Sequence, residues 1–507
     1  MAFAPNSSIH NVLILGGGSA GFISALNIKR RNPSVDVKLI RSPSIKIIGV
    51  GESTIQSIPK YLHGYLGINP TDFFREVDPT WKLGIRFLWG PRKQFHYSFR
   101  PQVDLHYDVL PMGMGFYYED EFEYGELASS LCAHDCVFAR RDDGSPSVGR
   151  DWAYHLDNKK LVAFLEKLAR GIGIEIIDDT VVDVSQDDNG ITALNLQSRG
   201  TVSADLYVDC SGFRSVLLGQ TLGETMESYK TSLYCDRAVV SEWERPVGEL
   251  IQPYTVAETM NSGWCWQIDH EHHISRGYVY SSDFISNEEA EREFREKNPL
   301  AESTEVIKFI SGHYHNAWVK NVVAVGNSSG FVEPLESTAL HVICLNATGI
   351  AESIYESHGP IHPVMRDNFN RRNNRVWQTL REFLAIHYKF NTRLDTEFWR
   401  ACRDDVDILG AQTIVDYYQE NGPSTLWNET LIDPHDINPL DGYYTILMGQ
   451  DIPYNNSYQP SNEELQTVRR IKETHKKIAS NGIRSEEALQ LVRDPSWTWD
   501  ISTFKGR

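Results

Sequence analysis

Between residues 11 and 40 the chain changes from one hydrophobic period to another and back. Val12-Leu-Ile-Leu15 is a short unbroken apolar run, the form taken by a buried strand of a parallel sheet. Gly16-Gly-Gly-Ser-Ala-Gly21 follows, and then apolar positions at helical spacing: Phe22, Ala25, Leu26 and Ile28. That pattern ends in Lys29, Arg30 and Arg31, and Asn32-Pro33 stops the helix. Residues 35–40 predict the next strand. Strand, glycine turn, helix and strand make a βαβ unit opening at residue 11.

Later patterns predict a helix over 161–169 and strands over 174–177, 180–184, 191–196 and 205–208. Residues 263–282 read as two aromatic strands joined by Asp269-His-Glu-His-His273. Beyond about 339 the spacing turns mostly helical, over 339–356, 365–388, 397–406 and 463–477. The expected class is α/β with mixed sheets, a main body over 1–350 and a mostly helical region over 351–507.

Composition narrows the function. The 507 residues carry 49 Lys and Arg against 68 Asp and Glu, a net charge of −19. That balance argues against a protein whose main work is gripping nucleic acid or an anionic membrane. The mean hydropathy of −0.38 fits a soluble chain. Residues 11–28 are the longest mostly apolar stretch, but four glycines interrupt them, and no basic region precedes them as in a secretory signal. Seven cysteines without framework spacing read as reduced thiols, so the expected compartment is the cytoplasm. Neither Cys132-Ala-His-Asp-Cys136 nor the histidines at 270, 272 and 273 make a convincing metal site; no metal is expected.

The spacing Gly16-x-Gly18-x-x-Gly21, with Ser19 and Ala20 inside it, is the fingerprint of a dinucleotide loop. The first glycine permits the turn, the second lets a pyrophosphate approach the backbone, and the third lets helix and strand pack closely. The acidic residue that usually ends the second strand is replaced by Arg41, suited to a phosphate, to packing over adenine, or to solvent. Two later strand-to-glycine turns follow. Residues 204–212 deliver Asp209 and Gly212, and residues 321–330 deliver Gly326 and Gly330. Three such turns in one chain resemble the FAD-binding fold of flavin monooxygenases.

Four further segments, in order, resemble the flavin-dependent halogenases, the group that includes the tryptophan halogenases. They are Gly49-Val-Gly-Glu-Ser-Thr-Ile55, Trp81-Lys-Leu-Gly-Ile-Arg-Phe87, Gly263-Trp-Cys-Trp-Gln-Ile268 and Phe331-Val-Glu-Pro-Leu-Glu-Ser-Thr338. The resemblance implies that reduced FAD, supplied by a separate flavin reductase, and dioxygen oxidise chloride or bromide to hypohalous acid. The oxidant then travels to a lysine beside an electron-rich, indole-like aromatic substrate and halogenates it.

Carried over onto this sequence, the resemblance makes Lys82 and Glu336 catalytic, with Ser337 positioning Lys82 or the oxidant. Gly49, Val50, Gly51 and Glu52 become a second flavin strap, and Trp264 and Trp266 a screen between flavin and substrate. The N–H groups of Thr338 and Ala339 would receive halide, although Ala339 replaces a glycine and Asp269 a proline of the family pattern. On its own chemistry, Lys82 in apolar company has its charged form disfavoured. A neutral amine could form a haloamine, whereas an ammonium could hydrogen-bond hypohalous acid. Glu336 could take the proton of the ring intermediate. Glu333 pairs with Glu336 in sequence only, and Tyr443 and Tyr444 suit core packing better than a substrate clamp. An aromatic monooxygenase and an inactive flavin-binding protein are the alternatives; a homodimer is compatible with all three.

Overall fold

A computed structural model describes residues 8–45, 51–99, 110–120, 122–433 and 436–504. Gly49 and Val50 lie outside the described residues. The N-terminal unit has the expected order: β1 (Asn11–Leu15), α1 (Ser19–Arg31) and β2 (Asp36–Arg41). β1 runs parallel to β2 on one side and to the strand Leu206–Asp209 on the other. Glu175–Asp178 continues the sheet beyond β2, and Val322–Ala324 continues it beyond Leu206–Asp209. The antiparallel strand Trp318–Val319 closes that edge.

Helices cover one face of this sheet and the three-stranded sheet of Val181–Asp187, Gly190–Leu196 and Gly200–Val202 packs on the other, so its central strands need apolar side chains on both faces, and Val12, Leu13 and Ile14 are all buried. α1 is itself enclosed between the helices Ala339–Ser357 and Asn158–Gly171. Every residue from Gly21 to Ile28 is buried as a result.

A second sheet has seven strands. In order they are Glu305–Lys308, Arg237–Glu244, His273–Tyr280, Gly263–Asp269, Thr255–Met260, β5 (Gly84–Leu88) and β6 (Phe95–Ser98). A three-stranded sheet beside it places Ala153–Leu156 between β3 (Glu52–Ser53) and β4 (Thr80–Lys82). Its register sets His155 opposite both Ser53 and Thr80.

The helices expected after residue 339 are Ala339–Ser357, Pro363–Lys389, Glu397–Asp405 and Asn462–Ser480. The helices Ala411–Asn421, Leu440–Gly449 and Ser485–Arg493 went unread in the sequence. Position 350 falls inside Ala339–Ser357, and the strand Ile483–Arg484 pairs with Cys136–Arg140 far back in the chain. All seven cysteines are buried and unbridged. Among the described residues no helix is long and apolar enough to cross a membrane.

Candidate active site

The glycine loop has the contacts that its spacing predicts. Gly16 has φ +132°, and a Cβ there would stand 2.1 Å from the Cys210 carbonyl oxygen. A Cβ on Gly21 would stand 1.9 Å from the Gly16 carbonyl oxygen, so only glycine lets α1 start this close to β1. Around Gly18 the reverse holds: nothing lies within 4 Å of a Cβ position. Gly18 is also the N-cap of α1, and no side chain caps it. An open backbone at an uncapped helix N-terminus fits a pyrophosphate.

The later turns reach the same place. A Cβ on Gly326 would lie 3.1 Å from the Ala20 Cβ, whereas Gly330 is pressed against Trp377 and His313. Asp209 is occupied by its own chain. One carboxylate oxygen accepts from the Ser211 N–H and hydroxyl, the other from the N–H groups of Leu217 and Leu218. Arg41 has its stem against Gly17 and its guanidinium paired with Glu166 and Asp178. In the strap, Gly51 faces the His270 ring, and desolvation lifts Glu52 to a pKa of about 7.

β4 places Trp81 and Lys82 on opposite faces. Trp81 packs on Phe74 and Phe138. Lys82 is fully buried, and its Nζ donates to the Ser337 hydroxyl at 2.8 Å. The Phe99 ring centroid lies 5.5 Å from Nζ. Burial lowers the Lys82 pKa to about 7, and the nearby Glu336 charge opposes that fall. The hydroxyl contacts continue inward. Ser337 Oγ donates to Ser53 Oγ at 3.0 Å, Ser53 Oγ lies 2.7 Å from Thr255 Oγ1, and Thr255 Oγ1 lies 2.9 Å from His155 Nε2.

Ser337 closes the short turn Pro334–Glu336 with φ +59°, a left-handed conformation that swings the chain into the helix Ala339–Ser357. The turn holds two carboxyl groups three residues apart, and successive residues of the helix Pro363–Lys389 meet them. His387 Nε2 lies 2.9 Å from Glu336 Oε1, and His387 Nδ1 is 2.8 Å from the Phe383 carbonyl oxygen. The carbonyl can only accept, so Nδ1 carries a proton and the Nε2–Glu336 contact holds one more between its partners. Glu333 is buried with Tyr388, Cys235 and Trp264 around it, and neither of its oxygens makes a hydrogen bond of ordinary length. Burial raises its pKa to about 7.

Trp264 and Trp266 are buried on one face of their strand, ring centroids 6.1 Å apart. Opposite Trp266 in the register stands Gly277. A Cβ there would lie 2.1 Å from the indole, so the missing side chain is the space the ring occupies. The loop His270–His272 joins this strand to the next, as expected of the hairpin. Asp269 is spent on a buried ion pair with Arg245 at 3.2 Å.

The structure thus brings Lys82, Glu336 and Ser337 together, and the backbone of Thr338 and Ala339 continues directly from them. Tyr443 packs on Phe383, and Tyr444 packs on Tyr418 while donating to the Ser424 carbonyl. Sequence reasoning missed Thr255, His155, His387 and Gly277. Only Ser53 lay within a quoted motif. The others stand in strands and helices whose patterns speak of packing, and only the fold links Thr255 and His155 to Lys82, His387 to Glu336 and Gly277 to Trp266. Elsewhere, Glu227, His313 and His315 gather their ligand atoms within 4.8 Å of one another, with Glu227 already paired to Arg381 and His315.

The family model described as tryptophan halogenase matches residues 11–466. Tryptophan 7-halogenase KtzQ of Kutzneria sp. (strain 744) is 32% identical over 453 residues, 83% of this chain and 84% of that one. Tryptophan 7-halogenase RebH of Lentzea aerocolonigenes is 30% identical, with 82% of each chain covered. The crystal structure of MibH, a lathipeptide tryptophan 5-halogenase, matches with a TM-score of 0.87 and 35% identity, covering 98% of this chain and 95% of that one. Matched over nearly its whole length, the chain belongs to the tryptophan halogenase family of flavin-dependent enzymes and has their FAD-binding fold.

Proposed function

We propose that this enzyme halogenates an electron-rich, indole-like ring with hypohalous acid held by Lys82. One observation carries the reading: a fully buried lysine is hydrogen-bonded to Ser337, beside Glu336 and an aromatic ring. When bound, reduced FAD supplies the electrons that let dioxygen oxidise halide. Gly16, Gly18, Ser19, Ala20, Gly21, Gly51, Glu52, Gly326 and Gly330 would hold it, with Gly49 and Val50 completing the strap and Asp209 shaping the turn behind it. The open backbone at Gly18 supports that fit. The N–H groups of Thr338 and Ala339 begin a helix that no side chain caps, a setting for halide.

Lys82 would donate a hydrogen bond to hypohalous acid as ammonium or bond halogen as amine, and either form holds the oxidant against the ring. Glu336, sharing a proton with His387, would accept the proton that the ring loses on substitution. Trp264 and Trp266 would separate the oxidised cofactor from the substrate. The ring could belong to free tryptophan or to a tryptophan inside a peptide, the latter because MibH is a lathipeptide halogenase.

The test is an aerobic reaction with NADH, FAD and a separate flavin reductase, each halide in turn, and a panel of indole, tryptophan and a tryptophan-containing peptide. Product mass gained as halogen, only when halide is present, is the expected result. Hydroxylated product without halide would replace this reading by the monooxygenase one. Consumption of NADH without added reductase would remove the need for a partner. Trp264→Ala and Trp266→Ala should each lower the halogenated yield several-fold in this assay. Unchanged yield and products in both would end the screening role.

A further inference from the structure

We propose that Ser53, Thr255 and His155 are positioning residues, holding the charge of Lys82 through one continuous file of hydroxyl groups. The proposal rests on the halogenase reading of Lys82 and extends it to three side chains that touch no reacting atom.

The file runs from Lys82 Nζ through Ser337, Ser53 and Thr255 to His155 Nε2, with successive contacts of 2.8, 3.0, 2.7 and 2.9 Å. All five side chains are at most 9% exposed, so water does not compete for these bonds. The two ends fix its direction. An ammonium only donates, so Ser337 offers Lys82 a lone pair, and its own hydroxyl donates to Ser53. Ser53 then donates to Thr255, and Thr255 to His155. His155 Nε2 must therefore be the unprotonated nitrogen of its ring, with the proton on Nδ1.

His155 is kept in that acceptor role by its surroundings. Burial, with Lys82 and Arg245 nearby, lowers its pKa to about 3, so the ring stays neutral. The Asp269 carbonyl, which accepts from Thr80 Oγ1, lies on the Nδ1 side, and His270 stands close by without a charge of its own. Nδ1 is buried and makes no hydrogen bond of ordinary length.

If Lys82 lost its proton, its amine would still donate an N–H to Ser337, but without the charge that makes a bond from an ionised donor about twice as strong as a neutral one. The file thus favours the ammonium form and, together with Glu336, resists the desolvation that drives the Lys82 pKa down. Hydrogen bonds in such a chain polarise one another, so a break at the far end is felt at Nζ.

The prediction is read in the resting full-length enzyme by NMR of 13Cε-labelled lysine. The Lys82 signal is assigned as the one missing from Lys82→Met. In the wild type it should titrate near neutral pH, well apart from the surface lysines. Thr255→Val keeps the shape and removes the hydroxyl, cutting the file two bonds from Nζ. It should lower the Lys82 midpoint by about one pH unit, a tenfold change in the protonation equilibrium. Thr255→Ser should restore it, and Ser53→Ala should lower it at least as far.

Because these readings need no turnover, they succeed or fail separately from the halogenation assay. Unchanged midpoints in both Thr255→Val and Ser53→Ala would overturn the proposal. A shift in Ser53→Ala alone would confine the effect to Ser53 and remove His155 from it. Should Thr255→Val not fold, Ser53→Ala and His155→Phe take its place, with the same two outcomes decisive.

Discussion

Lys82→Met should abolish halogenation while leaving the fold and the binding of FAD in place. Methionine keeps much of the apolar stem near the Phe99 ring, and it removes only the nitrogen that meets Ser337. An oxidant no longer held beside the substrate loses its orientation, and misplacement near the reacting atoms costs on the order of 10²-fold or more. The loss should appear in kcat, with FAD affinity unchanged by fluorescence titration. Glu336→Gln, which keeps its shape but loses the base, should slow turnover only in part.

The same variant carries a stability signature of known sign. The Lys82 pKa is about 7 in the folded protein and near 10.5 when the chain is exposed. Between those values the unfolded chain binds a proton that the folded chain does not, so this lysine makes stability rise with pH from about 7 to 10.5. Lys82→Met should lack that rise. Denaturant melts of the two proteins across this range will show it as diverging midpoints. Near-normal halogenation by Lys82→Met would mean that freely diffusing oxidant, or another residue, performs the substitution.

Gly21→Val and Gly18→Ala should part company completely. At Gly21 the first added carbon would meet a backbone carbonyl oxygen at 1.9 Å, and neither β1 nor α1 can move away without opening the sheet. The expected result is loss of soluble folded protein. At Gly18 the first added carbon meets nothing within 4 Å, and the backbone φ of −88° suits any residue. Gly18→Ala should therefore melt at the wild-type temperature yet bind FAD at least about tenfold more weakly, about 1.4 kcal/mol, because the methyl would stand where the pyrophosphate is proposed to bind. Equal FAD affinity in Gly18→Ala would move the dinucleotide away from this loop.

What the sequence revealed follows from what each motif must do locally. The loop at Gly16–Gly21 and the pair Trp264 and Trp266 declare themselves by spacing, because turn geometry and strand alternation act over a few residues. The long helix containing His387 was equally legible as a helix. Its role was not, since a histidine on a buried face reads as packing until the fold sets it 2.9 Å from Glu336. Thr255 and His155 were silent for the same reason. One is a β-branched residue opening a strand, the other a polar residue within the buried strand Ala153–Leu156, and only the sheet register joins them to Ser53. Arg41 was undecided for another reason: its ion-pair partners are distant in sequence. Its place at the end of β2 left a phosphate, adenine packing and solvent all open, and the structure pairs it with two carboxylates.

The burial of every cysteine has a consequence under the proposed chemistry, in which hypohalous acid forms inside the protein. Thiolates are among the first groups such an oxidant consumes, and their susceptibility follows ionisation and exposure. Here Cys132, Cys136, Cys210, Cys235, Cys265, Cys344 and Cys402 all have their pKa raised by burial, so each is held as the less reactive neutral thiol. On the chemistry proposed here the fold would withhold sulfur from the oxidant, and a halogenating equivalent that strayed from Lys82 would find no easy thiolate sink among these cysteines.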